Sequence, residues 1–187
     1  MFGFWNKKKT AVMIIPPKQF DGRELLSLNR AFKQAGIKGS CASTHRHGPL
    51  YGLHNEKIKP CMTISEIELG ELDALILIGG LGAMEYYNDH QLHHLLQSAN
   101  RQGKILGAID YSPIILAHAE ILRDRKATVY QTEIHKLEAA GAIYTGNDLE
   151  MDGNIVTANA PDVADEFSDI IAGFVLKGYQ NGVTQPV

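Results

Sequence analysis

The fold is decided by one stretch near the middle of the chain. Residues 104–117 read KILGAIDYSPIILA, in which two apolar runs are joined through DYSP. A short continuous apolar run is typical of a strand buried on both faces, and proline is common in the first turn of a helix. A sharp strand-to-helix turn lifts its corner side chain above the sheet edge, where such folds usually display a nucleophile. In this elbow, residues 109–113, the corner residue is Asp110, which offers a carboxylate oxygen instead of sulfur or hydroxyl oxygen.

Strand and helix patterns alternate along the rest of the chain. Hydrophobic periodicity predicts strands at 11–15, 37–43, 74–78, 104–109, 127–130, 142–145 and 154–158, the last two flanking a tight turn at Asp152-Gly153. It predicts helices at 21–35, 88–102, 113–122, 132–140 and 161–176, and residues 45–55 read as a hairpin-like excursion. Repeated βα units with continuous apolar strands indicate an α/β fold with a mostly parallel sheet between two helical layers.

Composition limits the classes of protein to which the chain can belong. Its 187 residues are 44% hydrophobic and 21% charged with a net charge of -3, which favours one globular domain over residues 1–187 and no nucleic-acid partner. The core is expected over about 10–176, followed by a flexible tail at 177–187. No apolar run approaches the ~18 residues of a membrane span. Two cysteines, Cys41 and Cys61, do not form a disulfide framework, so we expect a reduced, cytoplasmic protein without membrane contact.

Two glycines follow another predicted strand and are expected beside Asp110. Ligands bind at the carboxyl ends of parallel strands, where Gly79-Gly80 and the elbow should converge. A backbone N–H at Gly79 or Gly80, with that of Tyr111, could form an oxyanion hole. The alternative is a tight turn that needs glycine for steric reasons.

Four motifs in order resemble the ThiJ/PfpI family, which includes intracellular proteases, chaperone-deglycases and the human Parkinson-associated protein. They are GGLG at 79–82, AIDYSP at 108–113, RKATVY at 125–130 and DGNIVT at 152–157. The resemblance covers roughly residues 10–176. It implies a three-layer sandwich of the class I glutamine amidotransferase-like (flavodoxin-like) type, and a homodimer.

The elbow departs from the family pattern at its reactive position. The family's cysteine is replaced by Asp110, its frequent histidine by Tyr111 and its elbow glycine by Ser112. Because the thiolate is the attacking group in cysteine chemistry, the resemblance does not carry protease or deglycase activity to this chain.

Glu24 matches the acidic residue that contacts the cysteine in the family. The residues alone also allow a capping box, in which Glu24 reaches back to the start of its own helix. If Glu24 instead faces Asp110, the two carboxyl groups cannot both ionise cheaply and are expected to hold one proton between them near neutral pH. Such a pair could support acid/base chemistry, or it could be a quiet structural hydrogen bond.

Other candidates have weaker support. Glu85 falls where some family members carry an acid that reaches a neighbouring subunit, although an exposed helix acid has the same pattern. His118 on the elbow helix could approach the pocket or could be an ordinary buried histidine. The histidines on the loop at 45–55 and the pair at 93–94 are expected to be exposed to solvent. We therefore expect no metal and no cofactor.

Three functions are consistent with this sequence. The leading hypothesis is a small-molecule site in which Asp110 and Glu24 bind a carbonyl, amide or carboxylate metabolite, with at most carboxylate-based catalysis. The second is a non-catalytic interaction or regulatory module whose elbow is structural. The third is a hydrolase with Asp110 as the nucleophile, because carboxylates do form covalent intermediates.

Overall fold

The computed structural model describes residues 8–178. Its strands are β1 (Thr10–Ile14), β2 (Lys18–Phe20), β3 (Lys38–Ser43), β4 (Leu50–Gly52), β5 (Lys57–Ile58), β6 (Met62–Thr63), β7 (Ala74–Leu77), β8 (Ile105–Ile109), β9 (Lys126–Ala127), β10 (Ile143–Tyr144), β11 (Leu149–Asp152) and β12 (Ile155–Ala158). Its α-helices are α1 (Gly22–Gln34), α2 (His90–Arg101), α3 (Pro113–His118), α4 (Ile134–Ala139) and α5 (Ala164–Lys177).

Seven strands form the central sheet, in the order β11-β12-β8-β7-β1-β3-β6. Every neighbouring pair is parallel except β11 and β12, which form an antiparallel hairpin at one edge. Two smaller sheets, β10-β9 and β2-β4-β5, lie outside it. The predicted mostly parallel sheet is therefore confirmed, and β8, which leads into the elbow, lies inside the sheet between β7 and β12.

Apolar residues of the central strands point alternately into two cores. On one face Leu75 and Leu106 pack with α2, α3 and α4, and on the other face Ile76 and Ile105 pack with α1 and α5. Side chains alternate between faces along a strand, so a strand buried on both sides reads as a continuous apolar run. This arrangement is the predicted three-layer α/β sandwich.

Several details of the predicted elements are wrong, and the strand expected at 127–130 spans only Lys126–Ala127. Helix α3 ends at His118 rather than at residue 122, because the chain leaves the helix at Glu120, whose φ is 58°, and turns Leu122 into the core. The strand that pairs with β12 is β11, whereas Ile143–Tyr144 pairs in parallel with β9. A two-residue hairpin turn can only join strands that lie directly on either side of it, so the strand before this turn is 149–152 and not 142–145. The prediction missed residues 149–152 because two of the four are acidic and the segment lacks a continuous apolar run.

The last helix extends slightly further than predicted. Lys177, the first residue of the expected tail, still belongs to α5, and residues beyond Gly178 lie outside the described part. Within residues 8–178, none of the helices has the length and apolar character needed to cross a lipid bilayer.

Candidate functional site

Asp110 sits at the corner of the elbow in a left-handed backbone conformation. Its φ is 63°, a region that aspartate tolerates better than most residues other than glycine. Its backbone N–H donates to the Ala158 carbonyl over 2.9 Å, and its carbonyl accepts from the Tyr130 N–H over 3.0 Å. Contacts with two neighbouring segments therefore hold the corner in this conformation.

Ser112 holds the elbow against the adjacent strand. Its hydroxyl accepts the Ile109 N–H over 2.9 Å and lies 2.8 Å from the carbonyl oxygens of Leu77 and Ile109, to which it can donate. The side chain is fully buried. Sequence reasoning treated Ser112 only as a departure from a glycine, and it missed this contact between β8 and β7.

The two candidate carboxyl groups meet at the glycine loop. Asp110 Oδ2 accepts the Gly80 N–H over 2.8 Å, and Glu24 Oε2 accepts the Gly79 N–H over 2.6 Å. A Cβ atom on Gly79 would stand 2.6 Å from Asp110 Cβ and 2.9 Å from Glu24 Oε1, so the glycine permits this close approach. The predicted convergence of Glu24, Asp110 and Gly79-Gly80 is present, and both glycine N–H groups are engaged by the carboxyl groups.

Glu24 does not form the capping box that its position allowed. The N-cap of α1 is Asp21, whose carboxylate accepts the Arg23 N–H over 2.8 Å and also binds the Arg23 guanidinium. Glu24 instead turns inward and is only 1% exposed. Because Asp21 already caps the helix, Glu24 is available to the elbow.

Burial raises the pKa values of both carboxyl groups. Desolvation, followed by repulsion from Asp110, raises the pKa of Glu24 well above its ordinary value. Desolvation also raises the pKa of Asp110 from 3.8 to about 6, although the Gly80 N–H opposes this shift. Both shifts favour retention of a proton by the pair, and the larger rise is that of Glu24, the more deeply buried of the two groups.

The expected hydrogen bond between the two carboxyl groups is not formed. Glu24 Oε1 is buried and has no hydrogen-bond partner among residues 8–178. Each carboxyl group instead accepts the N–H of a different glycine. A protonated Glu24 thus holds a buried O–H or carbonyl oxygen without a partner, which is costly unless another molecule supplies one.

A chain of polar contacts runs from Glu133, just before α4, through Tyr87 to the elbow. Tyr111 is half-buried and stacks on Tyr130 with ring centroids 4.9 Å apart, while its carbonyl lies 3.2 Å from the Tyr87 hydroxyl. The same hydroxyl lies 3.1 Å from Glu133 Oε2, which also receives Lys136 Nζ over 2.6 Å. Glu133 is a buried acid that sequence reasoning missed, because nothing in its local pattern shows which loop the start of α4 contacts.

Two predicted pocket residues face away from Asp110. Glu85 is exposed and forms an ion pair with Lys18 over 2.8 Å. His118 Nδ1 lies 2.8 Å from the Tyr87 carbonyl, and its ring lines a separate cleft of ≈ 510 Å³ together with His90, His93 and His94. Within the described residues, no group of three or more His, Cys, Asp or Glu side chains is arranged to hold a metal ion.

The sequence matches a known protein family over most of its length. The model of the DJ-1/PfpI family matches residues 9–172. The chain belongs to the DJ-1/PfpI family.

Relatives within the DJ-1/PfpI family cover most of the chain. An uncharacterized protein of Methanocaldococcus jannaschii is 36% identical over 161 residues, which are 84% of this chain and 78% of that protein. A deglycase of Pyrococcus horikoshii is 27% identical over 150 residues, 80% of this chain and 90% of the relative. Among solved structures, a ThiJ/PfpI domain protein from Brachyspira murdochii has a TM-score of 0.88 at 24% identity, covering 94% of this chain and 100% of that one. The predicted family and fold are confirmed.

Proposed function

We propose that this DJ-1/PfpI protein binds a small metabolite at the elbow through Asp110 and Glu24, with at most carboxylate-based catalysis. The observation that carries the proposal is the buried Glu24 Oε1, which lacks a partner beside an ionisable Asp110. A ligand that accepts a hydrogen bond from protonated Glu24 and donates one to ionised Asp110 would satisfy both groups. Among carbonyl, amide and carboxylate compounds, a primary amide carries an accepting oxygen and a donating nitrogen on the same carbon atom.

Thiol chemistry at the elbow is not part of this proposal. Cys41 lies on β3 and Cys61 directly precedes β6, whereas the elbow joins β8 to α3. The Pyrococcus horikoshii relative is named a deglycase, and we do not extend that reaction to this chain because neither native cysteine lies at the elbow. Asp110 as a hydrolytic nucleophile has less support, because the raised pKa of Glu24 favours its protonated form, which cannot accept a proton from water, and His118 contacts the Tyr87 carbonyl.

The alternative is a non-catalytic interaction or regulatory module. It is favoured by the low exposure of Asp110, 4%, and by the Tyr111–Tyr130 stack beside it. For either function we propose a homodimer in the cytoplasm. The exposed apolar side chains of Leu81 and Met84, in the 3₁₀ turn that follows Gly80, support a contact surface close to the elbow.

Ligand binding separates these two functions. We expect propionamide to bind more tightly than propionate at pH 7.5 in an NMR titration, because propionate would repel ionised Asp110. Asp110→Asn and Glu24→Met should each weaken propionamide binding about tenfold, the loss expected when a buried hydrogen bond is broken, whereas Glu24→Gln keeps a donor and should bind like the natural chain. Glu85→Gln, which changes an exposed carboxylate near the loop, should leave binding unchanged. No saturable shift with either compound would favour the interaction module.

The raised pKa of Asp110 predicts how stability depends on pH. Because its folded-state pKa lies above the ordinary value, Asp110 favours folding while protonated, and this contribution is lost as pH rises from about 4 through about 6. Asp110→Asn should therefore gain stability relative to the natural chain over this range. A rise from 3.8 to about 6 corresponds to about 3 kcal/mol at most. Urea unfolding at pH 4.0 and 7.5 measures the difference, and Asp169→Asn, at an exposed position of α5, serves as the control. An equal effect of Asp110→Asn at both pH values would contradict the assignment.

A further inference from the structure

The two cysteines occupy neighbouring positions on adjacent strands. Ala42 of β3 pairs with Met62 of β6 in a parallel register, which places Cys41 and Cys61 one step earlier on the same two segments. The Cys61 N–H donates to the Cys41 carbonyl over 3.0 Å, and Cys61 Sγ lies 3.2 Å from that same oxygen. Side chains at paired positions stand on the same face of a sheet, so a rotation of the Cys61 side chain carries its sulfur toward that of Cys41.

The two thiols differ in their access to solvent. Cys61 is exposed, whereas Cys41 is partly buried against the core on the α1 side of the sheet. Burial, with a contribution from the nearby Cys61 thiol, raises the pKa of Cys41 to about 11. A solution oxidant therefore meets Cys61 first, while Cys41 stays a protonated thiol next to it.

We propose that Cys41 and Cys61 form a peroxide-sensitive dithiol site that closes to an intramolecular disulfide. The Cys61 thiolate attacks a hydroperoxide, an S–O bond forms as the O–O bond breaks, and hydroxide or alkoxide leaves. The Cys41 sulfur then attacks the Cys61 sulfenic acid, and the S–S bond replaces the S–O bond. The departing hydroxide takes the Cys41 proton and leaves as water. Two thiols are oxidised and one peroxide is reduced, and the site is separate from Asp110.

Closing this bond would tie an edge strand to the interior of the sheet. Strand β6 has two residues and pairs only with β3 in the described part of the chain. The segment between the cysteines carries β4 and β5, and its Glu56 packs against Gly22 at the start of α1. The disulfide would therefore fix both ends of the segment that lies beside the helix carrying Glu24.

Mass spectrometry of the full-length chain tests this site. After treatment with equimolar hydrogen peroxide we expect the intact mass to fall by about 2 Da, the loss of two hydrogens, and dithiothreitol to restore it. Tryptic digestion without reduction should give residues 39–46 joined to residues 58–101. The yield of this joined pair should not change when the protein is diluted tenfold at a constant peroxide concentration, because the bond forms within one chain.

A variant distinguishes a resolving cysteine from a bystander. In Cys41→Ser, the Cys61 sulfenic acid has no internal partner, so Cys61 should reach the sulfinic acid at least tenfold faster than in the natural chain. Cys41→Ala provides the same comparison with a residue closer in polarity to the partly buried site, in case the serine variant folds poorly. Equal overoxidation of Cys61 in the natural chain and in the variants, without the joined peptides, would overturn the proposal.

Discussion

Asp110→Cys is expected to create the most reactive thiol in the chain. The new sulfur would occupy the corner of the elbow, where the N–H of Gly80 is released from Asp110 Oδ2 and can stabilise a thiolate. The Tyr111 N–H, which also acts on the Asp110 carboxylate, is a second donor, and a protonated Glu24 can donate a third hydrogen bond. These donors matter more than the dipole of α3, because that helix has only six residues. We expect alkylation at position 110 to be at least tenfold faster than at Cys41 or Cys61.

A time course with iodoacetamide, read from tryptic peptides, measures all three thiols in one sample. Asp169→Cys supplies an exposed thiol on α5 that lacks the elbow donors, so it gives the rate of an ordinary surface cysteine. If position 110 is labelled no faster than position 169, the elbow is closed to small electrophiles. In that case the interaction module becomes the better description of this protein.

Gly82→Ala is expected to destabilise the fold more than any other added methyl group near the site. A Cβ atom at this position would overlap the Lys18 carbonyl oxygen, which belongs to the backbone of β2 and cannot move aside as a side chain could. The 3₁₀ turn that follows Gly80 packs against β2 at this point, so the two segments would have to separate. Overpacking of this kind costs about 3 kcal/mol of unfolding free energy.

Gly173→Ala is the matched control for Gly82→Ala. Gly173 lies inside α5 and a Cβ atom there meets nothing within 4 Å, so alanine should be neutral or should stabilise the helix by up to about 1 kcal/mol. Urea unfolding of both variants gives the comparison. Similar free energies of unfolding for the two alanine variants would show that β2 and the turn can separate at no cost in stability. The close approach at Gly82 would then not be needed for a stable fold.

The sheet was largely predictable because its strands are buried on both faces. The apolar runs at β1, β7 and β8 have no polar alternation, so parallel neighbours and two helical layers were the only way to cover them. The hairpin of β11 and β12 was not predictable in the same way. Residues 149–152 are LEMD, and a half-exposed edge strand of this composition is held by pairing rather than by burial.

The candidate site was predictable up to the choice of hydrogen-bond partners. Asp110 and Gly79-Gly80 end neighbouring parallel strands, so their approach followed from topology alone. The hydrogen-bond partner of Glu24 did not follow from topology, because an acidic residue at the start of a helix can cap that helix or point inward. In the structure Asp21 caps α1, and Glu24 points inward to Gly79. The contacts from Tyr87 and Glu133 depend on how separate loops fold back, which local sequence does not encode.

The two edges of the central sheet bear on how this protein avoids aggregation. A long free edge strand offers unpaired N–H and C=O groups to another chain and invites intermolecular sheet extension. One edge here, β6, is two residues long, and the other, β11, carries Glu150 and Asp152, with the Asp152 carboxylate already accepting the Lys126 N–H. A short edge strand offers few hydrogen-bonding groups to an added strand, and charged side chains on an edge disfavour its approach. Copies of this chain are therefore expected to meet through side-chain surfaces and not by extending one another's sheets.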